Sequence, residues 1–216
     1  MRNSRRVSGG GPVAAAVALA ITLTGLGGCA DEVSPRADRM ADRIALAPPA
    51  GVLRLLTFDA PGETDPWRVI NDTVMGGRSS SRMDVTDGGT AVFSGTVSLE
   101  NNGGFAHTRS LAAPFDLSAY AGIAVRVRGD GKTYELTLKT DRAFDGIIYQ
   151  ADFAAPADAW TEIRLPFADF VPTYHGRERP DRPPLDPSAI ATIGFLIAYK
   201  QAGPFQLEID WIGAYP

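Results

Sequence analysis

Two glycine-rich stretches of the sequence concentrate polar side chains that could bind a ligand. The first surrounds Gly76-Gly77 and the second surrounds Gly103-Gly104. Asparagine and aspartate offer the short hydrogen-bonding geometry that sugar hydroxyls require, and arginine pairs with a carboxylate. The same side chains also stabilise turns through hydrogen bonds to nearby backbone, so a glycan site and a pair of structured turns both stay open. The candidate residues are Asn71, Asp72, Arg78, Asn101, Asn102 and Arg109.

A second group of candidate binding residues lies in a proline-rich segment, residues 169–188. Its prolines cannot donate hydrogen bonds to a β-ladder, so the sequence predicts a long loop there. Loops of this length are usually functional or disordered. Tyr174, His175 and Arg177 offer this one an aromatic ring and two polar groups, which suits partner recognition as well as plain surface.

Two of the tryptophans are candidates for opposite roles. An exposed indole can stack on a sugar ring, which makes Trp67 a binding candidate. Trp211 instead alternates in step with the apolar Phe205 and Leu207, so it is expected in the core.

The sequence offers little for catalysis or metal binding. His107 and His175 are far apart, and neither has a second histidine or a cysteine at metal-ligand spacing. No nucleophile elbow, phosphate loop or dinucleotide fingerprint is present. A glycosidase pair such as Asp141 with Asp145 or Asp152 stays open, because the separation of two carboxyl groups is spatial. We predict a non-enzymatic protein with no cofactor and no metal.

The N-terminus has the order of a bacterial lipoprotein signal. Three arginines in the first six residues precede an apolar run over residues 13–26 that is too short to span a bilayer as a stable helix. The segment Leu26-Gly27-Gly28-Cys29 resembles the lipobox, whose cysteine is acylated and becomes the new N-terminus. Cys29 is the only cysteine, which excludes an intrachain disulfide. We expect a signal peptide over residues 1–28 and a protein anchored in the cell envelope through lipid on Cys29, facing the periplasm or the exterior.

Composition limits the class of the rest of the chain. Residues 29–51 have too few apolar side chains for a core and are predicted to be a lipidated tether. The formal net charge is −4 and no basic block follows the first six residues, so nucleic acid is not expected as a partner. The 23 glycines and 16 prolines favour many turns over long helices. These features predict an all-β domain over residues 52–216.

Alternation of apolar and polar residues predicts strands with one buried face. The pattern is clearest in residues 91–100, 123–128 and 133–139, and the Gly129-Asp130-Gly131 turn predicts that the last two form a hairpin. Eight or more short strands in one domain indicate two packed antiparallel sheets of the sandwich or jelly-roll kind. Further strands are predicted at residues 52–58, 147–153, 160–165, 193–199 and 205–212.

Several motifs together resemble the complex I intermediate-associated protein 30 family. The resemblance covers about residues 53–213 and implies a galactose-binding-like β-sandwich. It rests on Trp67, Asn71-Asp72, the Val-Met-Gly-Gly-Arg-Ser element at residues 74–79, the Asn-Asn-Gly-Gly-Phe element at residues 101–105, and residues 166–170 and 205–212.

The resemblance also implies a function. Mitochondrial members of this family are chaperone-like factors in the assembly of NADH:ubiquinone oxidoreductase, and no catalysis is implied. Because the lipoprotein signal places this domain outside the cytoplasmic membrane, we expect it to assist assembly or scaffolding of a protein complex at the envelope. The alternative is a carbohydrate-binding sandwich that recognises an envelope glycan. The first function predicts an exposed apolar or aromatic patch beside the proline-rich segment, and the second predicts a concave polar site floored by an aromatic ring.

Overall fold

Strands make up nearly all of the regular structure. The computed structural model describes residues 51–59, 67–110 and 114–216, and its helical segments there are four short 3₁₀ helices: Asp72–Met75, Glu100–Asn102, Phe167–Asp169 and Pro187–Ala189. The strands are β1 (Leu53–Thr57), β2 (Arg68–Asn71), β3 (Ser80–Val85), β4 (Ala91–Val97), β5 (Ala106–Arg109), β6 (Gly122–Arg128), β7 (Thr133–Lys139), β8 (Ile148–Ala154), β9 (Thr161–Pro166), β10 (Val171–Tyr174), β11 (Arg177–Glu178), β12 (Thr192–Ile197) and β13 (Gly203–Tyr215).

The N-terminal predictions lie outside the described residues. They are the signal peptide over residues 1–28, the lipid on Cys29 and nearly all of the tether. Within the part of the chain that the structure describes, no helical segment has the length and apolar character that crossing a membrane requires.

The strands form two antiparallel sheets. The six-stranded sheet has the order β3-β4-β13-β6-β9, and β1 pairs with β13 beyond the end of β4. The seven-stranded sheet has the order β11-β10-β8-β7-β12-β5-β2. This arrangement confirms the predicted all-β sandwich, and all eight segments predicted as strands are strands.

The hydrophobic core lies between the two sheets. Phe93 and Val125 of the six-stranded sheet and Phe195 of the seven-stranded sheet are fully buried in it. Tyr134 of β7 and Phe205 of β13 meet edge to face across the interface, with ring centroids 6.4 Å apart. Burial of each such side chain stabilises the fold by roughly 1.5–3 kcal/mol, so this interface is what holds the sheets together.

The predicted hairpin of residues 123–139 is wrong. β6 pairs with β13 and β9, whereas β7 pairs with β8 and β12 in the other sheet. The turn between them crosses from one sheet to the other and is fixed by Asp130, whose carboxylate accepts hydrogen bonds from the Tyr134 hydroxyl (3.1 Å) and from the backbone N–H of Gln206 (3.0 Å). A glycine-rich turn can reverse the chain within one sheet or lead it into the other sheet. Which of the two forms depends on partner strands that are distant in the sequence.

The sequence predicts a loop throughout the proline-rich segment, and this prediction is wrong in part. It contains β10 and β11, which extend the seven-stranded sheet beyond β8. Within β10, Pro172 donates no hydrogen bond, and its carbonyl accepts one from the N–H of Arg179 (2.8 Å).

A bulge in β13 changes the surroundings of Trp211. The register against β6 shifts between Ile209 and Trp211, after which Ile212 and Ala214 continue the core. Trp211 is buried, but it is not part of the core in which the sequence places it: its ring is covered by Arg54, whose guanidinium carbon lies 3.2 Å from the ring centroid. A cation–π contact therefore buries this indole.

Candidate functional site

The two glycine-rich stretches meet around one buried carboxylate. Asp72 follows β2, and its side chain is fully buried. Its Oδ1 accepts a hydrogen bond from the Ser79 N–H (2.9 Å), and its Oδ2 accepts from the N–H groups of Gly104 (2.7 Å) and Phe105 (3.3 Å) and from the Ser79 hydroxyl. Asp72 thus holds the loop of residues 72–79 to the loop of residues 99–105, and we call these two the clamped loops.

The four donors decide the charge of this carboxylate. Burial alone would raise the pKa of Asp72, but the hydrogen bonds from Ser79, Gly104 and Phe105 outweigh it and lower the pKa below its ordinary value. Asp72 is therefore ionised at neutral pH with donors on both of its oxygens. These hydrogen bonds are those of a turn-stabilising side chain.

The asparagines of the cluster support the same loops. The Asn71 Oδ1 accepts a hydrogen bond from the Ser81 hydroxyl (2.6 Å), and the Asn101 amide donates to the Gly76 carbonyl (3.2 Å). Asn101 and Asn102 have φ values of 55° and 59°, a left-handed conformation that asparagine tolerates better than most residues.

The clamped loops expose three apolar side chains. Val74 and Met75 are 60% and 64% exposed, and Leu99 on the second loop is also exposed. We call these three side chains the apolar tip. Arg78 and Glu100 form an exposed ion pair of 2.8 Å that joins the two loops.

Arg109 does not join this cluster. In the antiparallel pairing of β2 with β5, Asn71 lies opposite Ala106 and Arg68 lies opposite Arg109. Three residues of strand, about 10 Å, therefore separate Arg109 from Asn71. Ala106 faces the core, so the alternation of β5 turns Arg109 to the outer face of the seven-stranded sheet, where it is nevertheless only 6% exposed.

This outer face is polar but largely buried, against the expectation that the polar positions of residues 133–139 face water. We call it the polar face. The segment of residues 141–146 covers one end of it: the Lys139 ammonium donates to the Asp145 carbonyl (3.1 Å) and pairs with Asp141 (3.1 Å). The outward side chains that define the polar face are His107, Arg109, Glu135, Thr137, Lys139, Asp152 and Thr192.

His107 lies in the middle of the polar face as a neutral imidazole. Its Nε2 is 3.0 Å from the Thr137 hydroxyl. Burial, together with the charges of Arg109 and Lys139, lowers the pKa of His107 to about 3. Among the described residues no group of three or more His, Cys, Asp or Glu side chains is placed to hold a metal ion.

Two carboxyl groups lie side by side at the other end of the polar face. Glu135 of β7 is directly opposite Asp152 of β8. The Tyr199 hydroxyl lies 3.0 and 3.2 Å from the two Asp152 oxygens. Burial and the charge of Asp152 raise the pKa of Glu135 to about 7, so this pair holds a proton up to neutral pH. Neither Glu135 nor Tyr199 is among the sequence-predicted site residues. A polar residue in mid-strand on two successive strands, as at Glu135 and Asp152, is a signal that could have found Glu135, whereas Tyr199 lies in a turn.

The proline-rich segment reaches the polar face through a stacked pair of rings. Tyr174 and His175 stack with centroids 4.1 Å apart, and both hydrogen-bond the carboxylate of Asp145, at 3.1 and 3.0 Å. Phe144 and Tyr199 are exposed nearby on segments that border the face. Arg177 lies on β11 and is exposed, without joining the stack.

Trp67 packs against the core. Its ring lies between Phe58 (6.5 Å) and Phe195 (6.2 Å, nearly parallel). These contacts place the half-buried Trp67 ring at the rim of the core.

Known proteins with similar sequences share the family suggested by the motifs. The family model described as complex I intermediate-associated protein 30 matches residues 56–209. The mitochondrial complex I intermediate-associated protein 30 of mouse is 30% identical over 180 residues, which is 73% of this chain and 54% of the mouse protein. The Drosophila melanogaster protein of the same name is 26% identical over 195 residues, 80% of this chain and 66% of the fly protein. The chain thus spans between half and two thirds of these relatives.

Two of the solved structures with a similar fold are carbohydrate-binding modules. The family 11 module of the cellulase Lic26A-Cel5E of Clostridium thermocellum superposes with a TM-score of 0.59 at 18% identity, over 78% of this chain and 96% of the module. The module in complex with a β-1,3-1,4-mixed-linked tetrasaccharide gives a TM-score of 0.56 at 20% identity, over 77% and 97%. These likenesses confirm the galactose-binding-like jelly-roll sandwich. The matched sequence assigns the protein more narrowly: it belongs to the complex I intermediate-associated protein 30 family.

Proposed function

We propose that this chain is a non-enzymatic binding module that assists the assembly or scaffolding of a membrane protein complex at the cell envelope, anchored by lipid on Cys29. Membership of the complex I intermediate-associated protein 30 family carries the proposal, since the mouse and fly relatives are named for an intermediate of complex I. The partner of this chain is accordingly a subunit of a membrane complex.

The clamped loops supply a surface suited to such a partner. Asp72 fixes both loops from inside, so Val74 and Met75 are held on an ordered backbone while their side chains face water. Apolar side chains on a fixed backbone bind at a lower entropic cost than those on a mobile loop, and apolar side chains are typical of the centre of protein interfaces. Exposed apolar side chains beside the proline-rich segment, where this function predicts a patch, are Phe144 and Val171.

The test is affinity capture from crosslinked membranes with the tagged, full-length protein. We expect a defined set of membrane-complex subunits, and we expect the Val74→Asp, Met75→Asp double variant to capture at least tenfold less of it. Leu53→Asp is the control, because it places a negative charge on an exposed apolar side chain of β1, outside both the clamped loops and the proline-rich segment. Recovery of no subunit set above the untagged strain would contradict the function, and equal capture by the double variant would contradict this surface.

A second function, glycan binding, is favoured by the rim of the polar face. Tyr199, Phe144 and Tyr174 supply aromatic rings beside carboxyl groups, of which Glu135 is buried, and this is the composition of many sugar sites. These aromatic rings lie on the rim of the polar face, whereas the sequence-based prediction for a glycan site is an aromatic ring on its floor. A glycan panel tests this function: saturable binding that Tyr199→Ala removes supports it, and no saturable binding to any envelope glycan contradicts it.

A further inference from the structure

A cleft at the β2–β5 end of the polar face is lined almost entirely by arginine. Its volume is about 180 Å³, and its lining residues are Arg68, Arg109, Arg142 and Thr192. Arg68 and Arg109 are direct cross-strand neighbours in the β2–β5 register. Like charges directly opposite each other destabilise a sheet, so this pair needs a compensating charge.

The protein supplies little of that compensation. Arg109 is 6% exposed, and the hydrogen-bond partners of its guanidinium are the carbonyls of Ala143 (3.5 Å) and Phe144 (3.3 Å). Among the residues that the structure describes, no carboxylate lies within ion-pair distance of Arg68 or Arg109. Asp141, whose charge reaches Arg109, pairs with Lys139 at 3.1 Å. Burial of a cation without a counter-charge is costly.

The electrostatics of the neighbouring groups point the same way. Burial and the charge of Arg68 lower the pKa of Arg109, although a guanidinium stays protonated in proteins. His107 cannot serve as a counter-charge, because its imidazole is neutral. Burial and the positive charges of Arg109 and Lys139 lower its pKa. This end of the polar face therefore has a positive potential within a protein whose net charge is negative.

We propose that the arginine cleft binds a tetrahedral oxyanion, a phosphate or sulfate group. A single carboxylate fills the fork of one guanidinium, whereas a tetrahedral dianion has oxygens enough for two forks and a hydroxyl donor. Arg68 and Arg109 would bind its charge, and Thr192 on the neighbouring β12 offers the hydroxyl. The site is separate from the apolar tip and does not depend on the assembly function.

The experiment is a titration of the full-length protein at constant ionic strength, with binding followed by NMR shifts of backbone and arginine side-chain N–H groups. The probes are inorganic phosphate, inorganic sulfate and methyl phosphate, with sodium chloride and sodium acetate as comparison salts. We expect saturable shifts at Arg68, Arg109 and Thr192 with phosphate or sulfate. Tighter binding of methyl phosphate than of inorganic phosphate would identify an ester on a larger ligand as the source, and the reverse would identify the free anion.

Variants separate a built site from general charge attraction. Arg68→Gln should weaken phosphate binding at least tenfold, and because Arg68 is exposed on an edge strand the variant should fold. Arg82→Gln, which removes an exposed arginine from the edge of the other sheet, should bind phosphate as the wild type does. Shifts that chloride reproduces, acetate affinity equal to that of phosphate, or equal binding by Arg68→Gln would each overturn the proposal.

Discussion

Asp72 shows how one side chain can organise segments that are far apart in the sequence. It joins residues 32 and 33 positions later, and three of its four donors are backbone N–H groups. Each buried donor that loses its acceptor costs about 1–3 kcal/mol. The stability of the clamped loops therefore depends on this carboxylate.

We predict that Asp72→Asn lowers the free energy of unfolding by about 3 kcal/mol, because an amide group turns donors toward N–H groups that need an acceptor. Urea unfolding measures the change. Asp84→Asn, at an exposed carboxylate paired with Arg82, is the matched control and should change stability by less than about 0.5 kcal/mol. A loss below about 1 kcal/mol at Asp72 would contradict the clamp.

The raised pKa of Glu135 predicts how the stability of the fold depends on pH. The folded protein raises the pKa of Glu135 to about 7 from an ordinary value of 4.5, through burial and Asp152, against hydrogen bonds from Tyr199 and Gln150. Between these two pH values the folded state retains a proton that the unfolded state has released, so this group makes stability fall as pH rises from about 4.5 to 7 and level off above.

Glu135→Gln should remove that contribution. Relative to the wild type, the variant should gain on the order of 3 kcal/mol of unfolding free energy between pH 4.5 and pH 8. Glu162→Gln on the exposed edge strand β9 is the control and should follow the wild-type profile. Parallel profiles for the wild type and Glu135→Gln in urea unfolding would show that the group is not buried in this way.

At the scale of elements, the sequence predicts the strands with a half-buried apolar pattern and misses the others. β5 (Ala106–Arg109) has no alternation to detect, because the core covers one face and residues 141–146 cover the other. β3 is an edge strand, mostly exposed, with only Met83 and Val85 as apolar inward residues. Strand identity follows from local pattern, whereas the partners of β6 and β7 depend on residues far away in the chain.

The candidate site was predictable to a smaller extent. The sequence identifies Asp72 and its two loops as candidates for a site. The donors that give Asp72 its role are mostly backbone N–H groups, which almost every residue type supplies, so the sequence does not reveal them. The polar positions of β7, including Glu135 and Lys139, read as solvent-facing because the covering segment comes from another part of the fold.

Substitution of Gly77 tests how tightly the clamped loops pack around Asp72. A Cβ added to Gly77 would lie 2.4 Å from the Asp72 Cγ, a clash with a fully hydrogen-bonded group. Gly131 has a φ of +86° with nothing nearby, so alanine there costs only backbone strain of about 1–2 kcal/mol. We expect Gly77→Ala to destabilise by more than Gly131→Ala in thermal unfolding. The opposite order would show that the loops can relax around Asp72.

For the whole molecule, the proposed anchor is the feature that sets its location. Two or more acyl chains on Cys29 would hold the protein durably, since each buried methylene contributes about 0.8 kcal/mol. We predict that the wild type fractionates with membranes and that Cys29→Ser is recovered in the soluble fraction with a protease-resistant sandwich. Retention of Cys29→Ser on membranes would refute the lipid anchor.

The position of β13 in the chain has a consequence for how the protein is made. β13 pairs with β1, β4 and β6 and follows all three in the sequence. During synthesis, the six-stranded sheet therefore lacks its central strand until residues 203–215 have left the ribosome. Pairing over such distances is slow, and the waiting edges of β4 and β6 are open to aggregation. For a chain that is exported, as we propose, this late closure is useful: the sandwich is not completed while its final strand is missing, which leaves time for translocation as an unfolded chain.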